Sequence, residues 1–193
     1  MTGSKPTGEL LACVTGRFQP VHADHLRLFR LALEASGRLV VAVTNPDPGT
    51  YRAELGSSHR HLGEANPFTY FERLELLTAA LGSDEGVGPE VAERVRIVPF
   101  DLGRPEHWPH YVPLSAVQYV GVYGPWEREK LRRLAAGGYR VVEMPGDEHT
   151  RRTSTAIRQA LRAGTGWERL VPAATVKPLR ELLARRHAAG MAL

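Results

Sequence analysis

The sequence predicts a doubly wound α/β domain, one parallel sheet of about five strands with helices on both faces. Three observations carry this expectation. Short apolar, β-branched runs alternate with amphipathic helical stretches along the 193 residues. Glycine or proline punctuates most of the boundaries between them. Hydrophobic residues make up 42% and charged residues 24%, the mix of a globular domain with one core. A sheet of this kind takes right-handed crossovers and binds its ligand beyond the carboxyl ends of the strands, where strand order reverses. The domain is expected over residues 11–193, after a flexible lead-in over 1–10, with no second domain.

The elements follow in order. LACVT supplies a buried first strand over 11–15. A helix over 24–35 places Leu26, Phe29, Leu31 and Leu33 on or near its inner face, and Ser36-Gly37 ends it. LVVAV, 39–43, is the second strand. A polar stretch rich in Pro, Gly, Ser and His fills 44–65, longer than most loops in compact domains, and loops of that length are often functional. Asn66-Pro67 leads into a helix over 68–81, with Phe71, Leu74, Leu77 and Leu81 at helical spacing. Strands are expected at 95–100, 117–123 and 139–144, and helices at 126–136, 153–163 and about 174–187.

Composition narrows the function classes. The single cysteine, Cys13, excludes an intrachain disulfide and a cysteine-rich zinc site; it reads as a buried, inert thiol in a reducing setting. No apolar run reaches the roughly 18 residues needed to span a membrane. The opening MTGSKPTGEL lacks the basic-then-apolar pattern of a signal peptide, so a cytoplasmic location is expected, without membrane contact. Net charge is +4, and the basic residues are spread over predicted helices rather than gathered in a tail. That pattern suits a small polyanion better than nucleic acid.

The chemistry concentrates in GRFQPVHADH, Gly16 to His25, where the first strand gives way to the first helix. Backbone N–H groups at a helix N-terminus have no intrahelical partner and attract phosphate. Gly16 allows close approach of the backbone, and Arg17 adds a planar cation. His22 and His25, three apart, share a helix face and can donate to phosphate oxygens. The stretch therefore gathers a polyphosphate without a Walker lysine or a GxGxxG fingerprint. Alternatives remain for the histidines taken alone: a metal pair, a helix cap or solvent-facing side chains.

GRFQPVHADH resembles the GRFQPxHxGH signature of the archaeal-type nicotinamide mononucleotide adenylyltransferases, within the HxGH nucleotidyltransferase superfamily. Asn66-Pro67-Phe68-Thr69 with Glu72-Arg73, Ser154-Thr155-Ala156-Ile157-Arg158, and Trp167-Glu168-Arg169-Leu170-Val171-Pro172 resemble that family's NPFTxxER, S[ST]xxIR and WxxLVP segments, in the same order. The resemblance covers roughly residues 11–175. It implies a Rossmann-like fold and nucleotidyl transfer, in which an acceptor phosphate or phosphonate oxygen attacks the α-phosphorus of a nucleoside triphosphate and pyrophosphate leaves.

By that resemblance His22, His25 and Arg17 are the catalytic group. Gly16, Phe18, Gln19, Tyr123, Ser154, Thr155 and Arg158 bind the nucleotide. Arg73, Asp101, Arg104 and Trp108 bind the acceptor; His107 and His110 crowd the same loop as Arg104. Packing is the alternative for Trp108, N-capping for Ser154 and Thr155. The family further implies Mg²⁺ carried mainly on the triphosphate, no dedicated metal ligands, and self-association.

The chain departs from the pattern twice. Asp24 stands where HxGH has glycine. After the second strand, the family's short GSxQ segment gives way to TNPDP and a longer loop with His59, Arg60 and His61, which borders the acceptor site in this architecture. These departures favour a CTP-dependent cytidylyltransferase acting on a small phosphonate such as phosphonoformate. The alternative is ATP-dependent adenylyl transfer to nicotinamide or nicotinic acid mononucleotide, which Asp101 and Trp108 favour. A non-catalytic nucleotide sensor and a nucleic-acid binder are the remaining readings.

Overall fold

The computed structural model describes residues 10–53, 59–145, 153–191 and 193. The expected lead-in over 1–10 lies outside the described residues apart from Leu10. Five strands form one parallel sheet: β1 (Leu11–Gly16), β2 (Arg38–Thr44), β3 (Val95–Phe100), β4 (Val117–Val122) and β5 (Arg140–Pro145), in the spatial order β3-β2-β1-β4-β5. Order reverses between β1 and β4, so the open crevice lies above the carboxyl end of β1.

Strict alternation along the strands builds a core on each side of the sheet. Ala12, Val14, Leu39, Val41 and Val43 point one way. There they meet α1 (Ala23–Ser36), α2 (Tyr70–Leu81), α5 (Ser154–Ala163) and α6 (Ala173–Ala188), through side chains such as Phe29, Leu77, Ile157 and Leu179. Cys13, Val40 and Ala42 point the other way, toward Phe100, Trp108, Tyr139 and Leu134 of α4 (Pro125–Ala136). Cys13 is fully buried, and burial pushes its thiol up to about 12, the inert state its place in a strand predicts.

The long stretch 44–65 carries two short 3₁₀ turns, Pro48–Thr50 and Gly63–Ala65, with residues 54–58 outside the described set. One four-residue helix, α3 (Pro89–Ala92), is too short to leave a periodic signal in sequence.

The second helix differs from expectation. It starts at Tyr70 rather than residue 68, because Thr69 caps it: the Thr69 hydroxyl accepts from the Glu72 N–H at 3.2 Å and a Glu72 carboxylate oxygen accepts from the Thr69 N–H at 2.7 Å. Its buried face is Arg73, Leu76, Leu77, Ala80 and Leu81, while Phe71 stands 65% exposed. The predicted stripe is displaced because a buried arginine occupies the inner face. Below Arg73, α6 docks on α2 through Arg186, whose guanidinium Nη1 donates to both Glu72 oxygens at 2.9 Å in a nearly buried pair.

Candidate active site

Above the switch point, a cleft of about 430 Å³ is walled by three stretches of chain. The first is the turn from β1 into α1, with Gly16, Arg17, Phe18, Gln19, His22 and His25. The second is the β4–α4 connection with Tyr123, Trp126, Glu127 and Lys130. The third is the start of α5, with Thr153, Ser154 and Thr155. His59 and Arg60, from the long loop, complete the rim. The two N-terminal helix ends therefore face one space, and the Ser154 hydroxyl donates to the Pro20 carbonyl at 3.0 Å, fastening them together.

His22 is the N-cap of α1 and His25 its third residue. The His22 backbone N–H donates to His25 Nδ1 at 3.2 Å, and the two rings stack at 3.7 Å between centroids. An Nδ1 that accepts makes Nε2 the protonated nitrogen of a neutral imidazole, a donor suited to a phosphate oxygen. Phe18 backs His25 edge-on at 4.9 Å. It is 2% exposed and holds φ at 49°, a strained value for a bulky residue and one that turns the chain sharply under the motif. Gly16 is needed for that turn: a Cβ there would come within 2.7 Å of the Phe18 ring. Its glycine thus makes room for Phe18, where the sequence suggested room for a ligand.

Gln19 is buried and its amide pairs twice with Phe68, donating to the carbonyl at 2.9 Å and accepting from the N–H at 3.0 Å. It clamps the Asn66-Pro67-Phe68 segment to the motif. Arg158 is also buried, donating to the Gln19 carbonyl at 2.9 Å and to the Thr155 hydroxyl at 3.1 Å, one layer behind the cleft wall. Burial first, then Arg162 and Arg60, hold its guanidinium down to about 10 against the opposing pull of Glu64. Arg17 sits at the cleft and donates through Nη1 to the carbonyls of Arg60 and Ala65 and to Asn66 Oδ1, at 3.2–3.3 Å.

The structure does not bring the expected acceptor group into this cleft. All five N–H donors of Arg73 are directed at backbone carbonyls: Thr69 at 3.2 Å, Arg17 at 2.9, Thr44 at 2.8, Asn45 at 2.7 and Pro46 at 3.4. It is 1% exposed, and burial lowers it to about 10. Its charge staples three segments of backbone. Asp101 binds Arg52 at 3.1 Å and lies 3.8 Å from Arg104, at the rim of a separate cavity of about 490 Å³. Trp108 forms part of that cavity's floor; it is 1% exposed, donates to the Asp101 carbonyl at 2.9 Å and packs on Phe100 and Tyr139, the packing alternative.

Sequence reasoning did not single out Lys130, whose Nζ donates to the Thr15 carbonyl at 2.9 Å beside the motif. The available signal was its position four residues after Trp126, on one face of the helix that follows the fourth strand. Among the described residues lining the cleft, Arg17, Arg60, Lys130 and the imidazoles of His22, His25 and His59 stand against the carboxylates of Asp24 and Glu127. Partial desolvation, then Arg17, Arg60 and Arg158, hold His59 below the usual histidine range, with Glu64 opposing. The cleft is electropositive and suits a polyanion.

Comparison with known proteins agrees with this geometry. A family model described as cytidylyltransferase-like matches residues 13–160. The phosphonoformate cytidylyltransferase of Streptomyces viridochromogenes is 38% identical over 87% of this chain and 89% of its own length. The nicotinamide-nucleotide adenylyltransferase of Saccharolobus solfataricus is 30% identical over 86% and 88%. Among solved structures, a bifunctional NMN adenylyltransferase/ADP ribose pyrophosphatase from Francisella tularensis superposes with a TM-score of 0.60 at 15% identity, over 84% of this chain, which spans 45% of that one. A nicotinate-nucleotide adenylyltransferase described as such from Vibrio parahaemolyticus superposes at 0.52 and 16% identity, over 89% of this chain and 99% of its own. The structural likeness bears on the fold alone. No helix among the described residues is long and apolar enough to cross a membrane.

Proposed function

The chain belongs to the cytidylyltransferase-like family and is a nucleotidyltransferase, and from that premise we propose that it transfers CMP from CTP to a small phosphonate of the phosphonoformate type. The observation that carries the reaction is the convergence of the His22–His25 turn and the Ser154–Thr155 turn on one cationic cleft. The 38% identical relative supports the substrate pair.

A phosphonate anion is already a nucleophile, so the reaction needs no general base. Its oxygen forms a bond to the α-phosphorus, the bond from the α-phosphorus to the bridging oxygen of the β-phosphate breaks, and pyrophosphate leaves with the electron pair. His25 Nε2–H and the His22 ring donate to oxygens that gain charge in the transition state; the α1 and α5 N-termini hold the phosphate chain. In this reading Arg17, which lines the cleft, bridges donor and acceptor phosphates. Arg158 acts from behind by fixing Thr155 and the Gln19 carbonyl. The carboxylates at the cleft, Asp24 and Glu127, suit a Mg²⁺ that rides on the triphosphate and borrows few protein ligands. When bound, that ion neutralises phosphate charge.

The test is a pyrophosphate-release screen of ATP, CTP, GTP and UTP against phosphonoformate, nicotinamide mononucleotide and nicotinic acid mononucleotide. CTP with phosphonoformate is the expected pair. His25→Ala should lower its kcat about 10²–10³-fold. Turnover of ATP with a pyridine mononucleotide alone would replace the proposal with adenylyl transfer, the activity that the 30% identical relative's name states.

A further inference from the structure

We propose that Arg60, assisted by His59, is the residue that receives the acceptor's anionic head and selects a compact dianionic acceptor over one that carries a flat ring. The inference rests on the nucleotidyl-transfer reading. Its starting point is a displacement of function: Arg73 has every donor committed to a backbone carbonyl, and Asp101 and Arg104 pair at another cavity. Of the basic side chains that do line the cleft, Arg60 and His59 come from the long loop.

Arg60 is held in place from its own backbone. Its carbonyl accepts from Arg17 Nη1 at 3.2 Å, from Asn45 Nδ2 at 3.2 Å and from Asn66 Nδ2 at 2.7 Å. Its guanidinium lies 4.6 Å over the Trp126 ring, so it spans from the loop to the opposite wall. Stacking engages the face of the guanidinium, whereas the in-plane N–H fork is the part that reads carboxylate and phosphonate. Around it, Arg17 and Arg158 gather like charge, felt also by the His59 imidazole, a repulsion that a bound polyanion relieves. The same contact covers Trp126, and Trp108 is buried. Neither tryptophan offers a face on which a pyridine ring could stack.

Steady-state pyrophosphate release by wild type, Arg60→Ala and Arg60→Lys tests the assignment, with circular dichroism to confirm that each folds. Arg60→Ala should raise the phosphonoformate KM about 10- to 100-fold while the CTP KM stays within about threefold. Arg60→Lys should recover part of the loss, since it keeps the charge and not the fork. A raised CTP KM with an unchanged acceptor KM overturns the assignment. Calorimetric titration with phosphonoformate separates this idea from the transfer reading. Should wild type turn over no pair, the reading fails. Arg60 is then still judged by whether Arg60→Ala loses the binding heat or binds equally well, the second outcome sinking it.

Discussion

At the residue scale the cleft is defined by where protons and positive charges sit. His59 has its imidazole held below the usual range by partial desolvation and by Arg17, Arg60 and Arg158. A depressed histidine stays neutral in the free protein at pH values where the unfolded chain would begin to protonate, so it weakens folding slightly as pH falls through the unfolded value near 6.5. A bound polyanion reverses the sign: it neutralises the three guanidiniums and raises the histidine's affinity for a proton. Triphosphate binding should therefore take up protons between the free and bound values, and affinity should rise as pH is lowered from about 7 toward 6. Calorimetry of CTP binding in buffers of different ionisation heat measures this uptake. His59→Gln should remove its share while leaving any share from His22 and His25. Equal uptake in the variant would show that His59 does not feel the ligand.

At the scale of elements, Arg73 has a mechanical task. From the first turn of α2 it reaches the end of β2 and the turn after β1, joining the two strands on whose carboxyl ends the cleft rests. Each buried acceptor left unpaired costs about 1–3 kcal/mol, and these costs are not additive. Arg73→Ala should thus lose about 3 kcal/mol or more and lower Tm by about 6–12 °C. Arg73→Lys, with three donors and no fork, should recover less than half. Thermal melts followed by circular dichroism read both; near-native stability of the alanine variant would show the staple to be dispensable. Arg73 also marks the boundary of what the sequence could tell. Short apolar, β-branched runs placed all five strands and period-3.6 patterns placed the long helices, because each sums many residues. On α2 the pattern held at Leu77 and Leu81 and failed at Phe71, which fits the spacing but stands exposed while a buried arginine pairs inward. The HxxH turn and the Ser-Thr turn stood out in the sequence as candidate phosphate binders, and the structure brings both to one cleft. Which arginine faces the ligand and which one staples the backbone depends on contacts 28–56 positions apart, and no local pattern encodes that.

At the scale of the whole molecule, one site is built from distant parts of the chain. The sheet order β3-β2-β1-β4-β5 splits the neighbours of β1 to either side, and the cleft opens where they part. Residues 16–25, 121–130 and 153–155 meet there, although more than a hundred positions separate the first from the last. A second cavity, of about 490 Å³ and lined by Arg52, Leu102, Trp108 and Arg133, lies apart from it. Its arginines are already committed: Arg52 to Asp101 and Arg133 to Glu129, at 3.1 and 3.0 Å. Size does not choose between the two, but the cleft above β1 gathers the N-termini of two helices with Arg17, Arg60 and Lys130, which suits a polyanion better. Hydrogen exchange with and without CTP decides between them. Protection should appear together in the three cleft segments and in the backbone around residues 59–66, and leave 102–108 and 132–137 unchanged. CTP at about a hundred times its Kd should also add about 2.7 kcal/mol of stability, a Tm rise of about 5–10 °C. Protection confined to the Trp108 region would move the nucleotide site to the second cavity and remove the basis for assigning any role to the paired helix N-termini.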